Sequence, residues 1–274
     1  MLKMITFPNA KINIGLNIVE KRADGYHNLE TVFYPIPVKD ALEFVPSKKG
    51  ETSFCLSGID VGGDAESNLV MKALRLLEKD FEIPPLEIHM EKAIPFGAGL
   101  GGGSADAAFM LKMLNQAFQL HLSDEQLEVY AAKLGADCAF FIKNKPVFAT
   151  GIGNVFEPID VSLKGYFLVL VKPDIHVSTP MAYSLVKPHA PEYPIKEWLK
   201  RPIEEWKERV LNDFELSVFT KFPAIGEIKD ELYRQGALYA SMSGSGSSVF
   251  GLFDKQVDLS SLFKDCYVFQ NFLD

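Results

Sequence analysis

The chain opens with strict alternation. Ala10, Ile12, Ile14, Leu16 and Ile18 fall on one face, and Asn9, Lys11, Asn13, Gly15 and Asn17 on the other. A period of two predicts a strand buried on one face. The second face carries an ammonium and several amides, too polar for core and oddly ordered for plain solvent. Arg22–Asn28 (RADGYHN) reads as a turn around Asp24-Gly25, and Leu29–Pro35 as a second strand. Leu69, Ala73, Leu76 and Leu77 form one apolar stripe, which predicts a helix over Asn68–Asp80. Leu86, Ile88 and Met90 alternate with Glu87, His89 and Glu91, giving another half-buried strand.

Helices are expected over Ser104–Phe118 and Ser123–Leu134, the second with Asp124 and Glu125 near its start and Gly135 just past its end. Pro146–Ala149 and Tyr166–Val171 read as strands. From Ile175 to Trp206 the chain is rich in Pro, Lys and Glu, with Pro180, Pro188, Pro191 and Pro194 marking a loop-like connector or a substrate-facing insertion. Helices resume over Pro202–Leu211 and Ala224–Gln235, followed by a Ser/Gly loop, Ser241–Ser248, and a strand, Val249–Phe253. Amphipathic strands interleaved with helices point to an α+β sandwich rather than a doubly wound parallel sheet.

With 274 residues, 47% of them hydrophobic and 23% charged, the chain has the makings of a full buried core. The net charge of −8 counts against nucleic acid as a partner. It leaves a phosphorylated small ligand open, because a local cradle of N–H groups outweighs a distant average charge. The longest apolar stretches, such as Phe167–Val171, are too short to span a membrane. The N-terminal stretch MLKMITFPNAKI lacks the apolar segment and cleavage site of a secretory leader. Cys55, Cys138 and Cys266 are odd in number, lack metal spacing and sit beside apolar residues. They are expected as buried, reduced thiols in a cytoplasmic protein.

The strongest chemical signal is Pro95-Phe-Gly-Ala-Gly-Leu-Gly-Gly-Gly-Ser-Ala-Asp106. Its five glycines in seven positions allow positive φ and close approach to a ligand. A helix follows directly, so free N–H groups and the positive dipole end face the loop, as a phosphate site requires. Ser104 adds a hydroxyl for a phosphate or Mg²⁺. The chain has no G-x-x-x-x-G-K-[ST] loop. Gly97, Gly99 and Gly102 match G-x-G-x-x-G, but the preceding strand is amphipathic, Pro95 intervenes, and Asp124 lies at a helix start. The dinucleotide reading therefore fails on context.

Lys11 and Asn13 share the polar face of the first strand. A lysine near a transferring phosphoryl group offsets developing charge, yet alone Lys11 reads more simply as a solvated residue on an edge strand. Asp137, in Gly135-Ala-Asp-Cys-Ala-Phe-Phe141, fits a general base and a helix N-cap equally. Tyr26 and His27 offer one ring for stacking and one for hydrogen bonding, or simple hairpin packing. Ser241–Ser248 can bring N–H groups to a ligand, or form a plain turn.

In this order, the segments resemble the GHMP small-molecule kinases. The first strand is similar to their N-terminal motif, Pro95–Ala107 to their phosphate-binding motif, and Ser241–Phe250 to their C-terminal motif. Ala10-Lys-Ile-Asn13 with Arg22-Ala-Asp-Gly-Tyr-His27 resembles the branch acting on cytidine diphosphate-linked methylerythritol in the non-mevalonate isoprenoid pathway. Galactose, homoserine and mevalonate kinases lack the R-x-D-G-Y-H segment. The resemblance spans nearly the whole chain.

It implies a two-lobed fold, with a ribosomal protein S5 domain 2-like lobe over residues 1–150 and a ferredoxin-like α/β sandwich lobe over 151–274. It implies ATP and Mg²⁺ as cofactors, and a monomer or weak homodimer bound to neither nucleic acid nor membrane. Lys11 and Asp137 become the catalytic pair acting at the C2 hydroxyl. Pro95, Phe96, Gly97, Ala98, Gly99, Leu100, Gly101, Gly102, Gly103, Ser104 and Ala105 become the nucleotide site. Tyr26 and His27 would recognise cytosine with Tyr183 as a second aromatic wall; Asn13 and Thr179 would contact substrate, and Lys92 is a weaker candidate on the nucleotide side. The metal ligand is left unassigned. Ala98 and Ala105 replace a common glycine and serine, Cys138-Ala139 a frequent Val-Pro, and Tyr183 a frequent Phe.

Overall fold

The computed structural model describes residues 3–60 and 62–274, so the first two positions of the N-terminal stretch lie outside them. In chain order the strands are β1 (Met4–Thr6), β2 (Asn9–Lys21), β3 (His27–Lys39), β4 (Ala41–Pro46), β5 (Ser53–Gly58), β6 (Leu86–Lys92), β7 (Val147–Thr150), β8 (Val155–Pro158), β9 (Phe167–Pro173), β10 (Tyr239–Met242), β11 (Val249–Phe253) and β12 (Cys266–Phe272). The helices are α1 (Leu69–Leu77), α2 (Gly102–Ala117), α3 (Asp124–Ala132), α4 (Phe140–Lys143), α5 (Thr179–Ala182), α6 (Ile195–Trp198), α7 (Phe214–Lys221) and α8 (Pro223–Arg234). They group into two compact units interleaved in sequence.

The first unit comprises the residues before Lys11, Val38–Phe96 and Gly101–Lys145. Its sheet runs β1-β4-β6-β5, antiparallel except for the parallel β5–β6 pair. Alternation in β6 turns Leu86, Ile88 and Met90 into the core. There they join Leu42 and Phe44 of β4 and the apolar stripes of α1 and α2. Helix starts are set locally. Asn68 accepts the Val70 N–H at 2.9 Å, and Ser123 with Gln126 forms a reciprocal capping box at α3.

The second unit comprises Lys11–Pro37, Gly97–Leu100 and Pro146–Asp274. It holds two four-stranded sheets, β2-β3-β7-β8 and the antiparallel β10-β11-β9-β12. Val169 and Val171 of β9 pack with Phe214 and Val218 of α7, with Ile225 and Leu232 of α8, and with Leu16 and Ile18 of β2. One polar seam crosses this core: Leu16 donates to the Leu211 carbonyl at 2.8 Å, and Asp213 N–H donates back to Leu16 at 2.8 Å.

Three expectations need correction. Pro202–Leu211 is a short 3₁₀ turn, Ile203–Glu205, and further turns rather than a helix. Ile203, Trp206 and Val210 are buried at helix-like spacing, but successive turns reproduce that spacing without a continuous ladder. The 175–206 stretch is not a bare loop, since it carries α5, α6 and that turn. Of the thiols only Cys138 is buried; Cys266 is half-buried, and Cys55 is exposed on the outward face of the edge strand β5.

Candidate active site

In the second unit, β2 is buried along both faces from Asn9 to Ile18, so Lys11 is not a solvated edge lysine. It is 3% exposed. Its Nζ donates to Asn13 Oδ1 at 2.6 Å and to the Gly99 carbonyl at 3.1 Å, and lies 4.8 Å from the centre of the Phe33 ring. Asn13 is fixed in turn by Thr31, whose Oγ1 accepts from Nδ2 at 3.0 Å and donates to the Gly15 carbonyl at 2.5 Å. Buried polar groups require this full pairing. Thr31 escaped the sequence reading because a threonine in a strand carries no distinctive signal.

The glycine loop follows from backbone chemistry. Gly97, Gly99 and Gly101 have φ of +62°, +74° and +71°, which strains any residue with a Cβ. At Gly99 a Cβ would also lie 2.0 Å from the Ser243 carbonyl oxygen. The Ser243 hydroxyl donates to the Gly99 carbonyl at 2.9 Å and accepts the Asn13 N–H at 3.2 Å. The Ser/Gly loop thus lies directly on Gly99. Gly97 rests against the His176 ring, while Phe96 is exposed and Ala98 and Leu100 are buried.

In the first unit the loop becomes α2. Gly101 is its N-cap, in the left-handed region, and supplies no side-chain bond to the first turn. Ser104 lies in that turn, and Cys138 is buried. Burial pushes this thiol up to about 11, against the lowering effect of Ser104. The Cys138 N–H donates to the Gly135 carbonyl at 3.2 Å and closes the 135–139 turn. Asp137, in this turn, is half-buried. It caps no helix, since α4 is capped by Ala139 and α3 by Ser123.

Lys92 is committed elsewhere. It forms ion pairs with Asp40 and, at 2.8 Å, with Asp106. Burial opposes its charge, yet the two carboxylates hold its pKa above the ordinary lysine value. Asp40 also accepts the N–H groups of Ala93 at 2.6 Å and Ile94 at 2.8 Å. Lys92 therefore braces the chain entering the loop.

The Arg22–Asn28 turn is preformed. Arg22 grips both Asp24 oxygens, and its side-chain hydrogen bond, with the Tyr26 N–H, lowers the Asp24 pKa. Asp24 accepts the Tyr26 N–H at 3.1 Å. Tyr26 is left 60% exposed. His27 stacks on Tyr183 with centroids 4.7 Å apart, and Tyr183 meets Phe214 edge-on at 4.7 Å. Thr179 is the first residue of α5 and exposed.

Among the described residues, no group of three or more His, Cys, Asp or Glu side chains is placed to hold a metal ion, and no helix is long and apolar enough to cross a membrane.

Comparison with known proteins shows the family. Residues 68–145 match the GHMP kinases N terminal domain, and residues 195–264 match the GHMP kinases C terminal domain. The fold and its loop define a GHMP kinase, a class of ATP-using phosphotransferases. A Bacteroides fragilis 4-diphosphocytidyl-2-C-methyl-D-erythritol kinase is 62% identical over 97% of this chain and 98% of its own. The protein of that name from Bacteroides thetaiotaomicron is 64% identical over 92% and 93%. A crystal structure of 4-(cytidine 5'-diphospho)-2C-methyl-D-erythritol kinase superposes with a TM-score of 0.83 at 30% identity, covering 97% and 98% of the two chains. The chain belongs to the 4-diphosphocytidyl-2-C-methyl-D-erythritol kinase family.

Proposed function

We propose that this chain phosphorylates the C2 hydroxyl of 4-diphosphocytidyl-2-C-methyl-D-erythritol, a step of the non-mevalonate isoprenoid pathway. The observation that carries the reading is the buried Lys11 ammonium held on the carbonyl of Gly99, within the glycine loop. ATP, when bound, supplies the phosphoryl group. The loop Pro95–Ala105 and the first-turn N–H groups of α2 receive phosphates. Lys11 offsets the negative charge that develops on transfer. Asp137 orients the acceptor hydroxyl and takes its proton. Asn13 and Thr179 contact the acceptor, while Tyr26, His27 and Tyr183 recognise cytosine by stacking and hydrogen bonding.

Mg²⁺, when bound, would be carried mainly by phosphate oxygens and water; among the described residues no carboxylate cluster is gathered for it. The Ser104 hydroxyl, at the start of α2, is the group the chain would add.

An ADP-release assay across the cytidyl substrate, mevalonate, homoserine and galactose tests this reading. Turnover is expected on the cytidyl substrate alone; turnover on mevalonate but not on it would overturn the assignment. Asp137→Asn is expected to lower kcat about 10²–10⁴-fold, and an unchanged rate would remove Asp137 from its role.

A further inference from the structure

The segment Asn212-Asp-Phe-Glu215 lies outside all three kinase motifs, yet it makes an unusually complete set of polar contacts. Asn212 is buried. Its Nδ2 donates to the Met242 carbonyl at 2.8 Å and the Gly244 carbonyl at 2.9 Å, and its Oδ1 accepts the Phe214 N–H at 3.0 Å. Both amide protons are therefore spent on the two carbonyls that flank Ser243. Glu215 Oε1 accepts the Met242 N–H at 2.9 Å, while Oε2 is held by Lys229 at 2.6 Å. Asp213 Oδ2 accepts the Ile18 N–H of β2 at 2.7 Å. One short segment thus grips the strand bearing Lys11 and Asn13 on one side and the Ser/Gly loop on the other.

The grip reaches the ammonium in one further step. Ser243 donates to the Gly99 carbonyl, which also accepts from Lys11 Nζ. We infer that Asn212 and Glu215 are positioning residues that fix Ser243, and through it the Gly99 carbonyl and the Lys11 ammonium, in the geometry needed for phosphoryl transfer. This rests on the reading of Lys11 given above. A displacement of about 1 Å in a catalytic group costs on the order of 10²-fold in rate. Asn212→Asp keeps the shape but turns both donors into acceptors facing carbonyl oxygens, so the Ser/Gly loop must move.

The test is steady-state kinetics of the full chain with ATP and the cytidyl acceptor, alongside thermal unfolding. Asn212→Asp is expected to lower kcat about 10²-fold, with both KM values nearly unchanged. Glu215→Leu should lower kcat by a smaller factor in the same pattern. Lys229→Met removes the ion pair but leaves the Glu215–Met242 bond, so it should lower the melting temperature while keeping kcat. Should Asn212→Asp fail to fold, Ser243→Ala removes only the hydroxyl between Asn13 and Gly99 and should show the same kcat loss.

A wild-type kcat in folded Asn212→Asp, or in Ser243→Ala, overturns the inference. So does a kcat that falls in step with melting temperature across all variants, Lys229→Met included. Lys11→Met run in parallel separates the two claims. If it stays active, the reading of Lys11 fails; if it is inactive while Asn212→Asp is unimpaired, only the positioning role fails.

Discussion

Lys11 and Lys92 are nearly equally sealed from water, at 3% and 5% exposure, and each lies on a strand. They sit in different units and end on different partners. The ammonium of Lys92 is caught between Asp40 and Asp106, and the same Asp40 accepts the next two backbone N–H groups. That of Lys11 rests on the carbonyl of Gly99, inside the glycine loop. Burial of a lysine is therefore no guide to its task. The partners differ: Lys92 joins two carboxylates beside the chain that enters the glycine loop, whereas Lys11 donates to a carbonyl of the loop itself, the contact on which its proposed role rests.

The comparison is broken most directly by deleting each charge. Lys11→Met is expected to lower kcat about 10²–10³-fold in a protein that remains folded, as for removal of one preorganised electrostatic group. Stopped-assay kinetics with circular dichroism check this. Lys92→Met should show the opposite split. Two buried carboxylates lose their counter-charge, costing about 3–5 kcal/mol of stability, read by urea unfolding, while the folded fraction keeps its kcat. Exchanged outcomes would overturn the distinction.

A pH series sharpens the same contrast. The folded pKa of Lys92 is raised above the ordinary 10.5, with burial opposing the charge and Asp106 and Asp40 more than offsetting it. A raised cation gives stability that is complete below its unfolded value and lost as pH climbs through the folded one. Wild-type unfolding free energy should therefore fall above pH 10.5 through a contribution that Lys92→Met lacks. Parallel alkaline curves for the two proteins would contradict this.

Smaller effects lie away from both lysines. Ser123→Ala removes half of the α3 capping box and should cost about 0.5–2 kcal/mol with kinetics intact, measured by urea unfolding. Smallest is a labelling order. The Cys138 thiol, pushed up to about 11 by burial, should resist alkylation at mildly alkaline pH while exposed Cys55 reacts first, as peptide mass spectrometry would read. Early labelling of Cys138 would contradict its burial.

The positions of most elements were legible because their signals are local. Alternation over Ala10–Ile18 marks β2, an apolar stripe and Asn68 mark α1, and the glycines before Ser104 demand a loop that opens a helix. Where such signals were imitated, as by the spacing of Ile203, Trp206 and Val210, the reading failed. The candidate site was legible in part, since Lys11, Asn13, the glycine loop and the Asp24–His27 turn all lie in distinctive segments. Thr31, Asn212 and Glu215 were not, because an isolated polar residue between apolar neighbours looks alike whether it faces water or a buried carbonyl.

By itself, the sequence determined the glycine loop, the α+β class and the kinase family, because periodicity, positive φ and motif order are written in neighbouring residues. Only the tertiary structure decided which polar groups act together. Lys11 meets Gly99 across 88 residues and Asn13 meets Ser243 across 230. Such partners are chosen by burial: a polar atom taken out of water must find a bond, and packing alone determines which one is within reach.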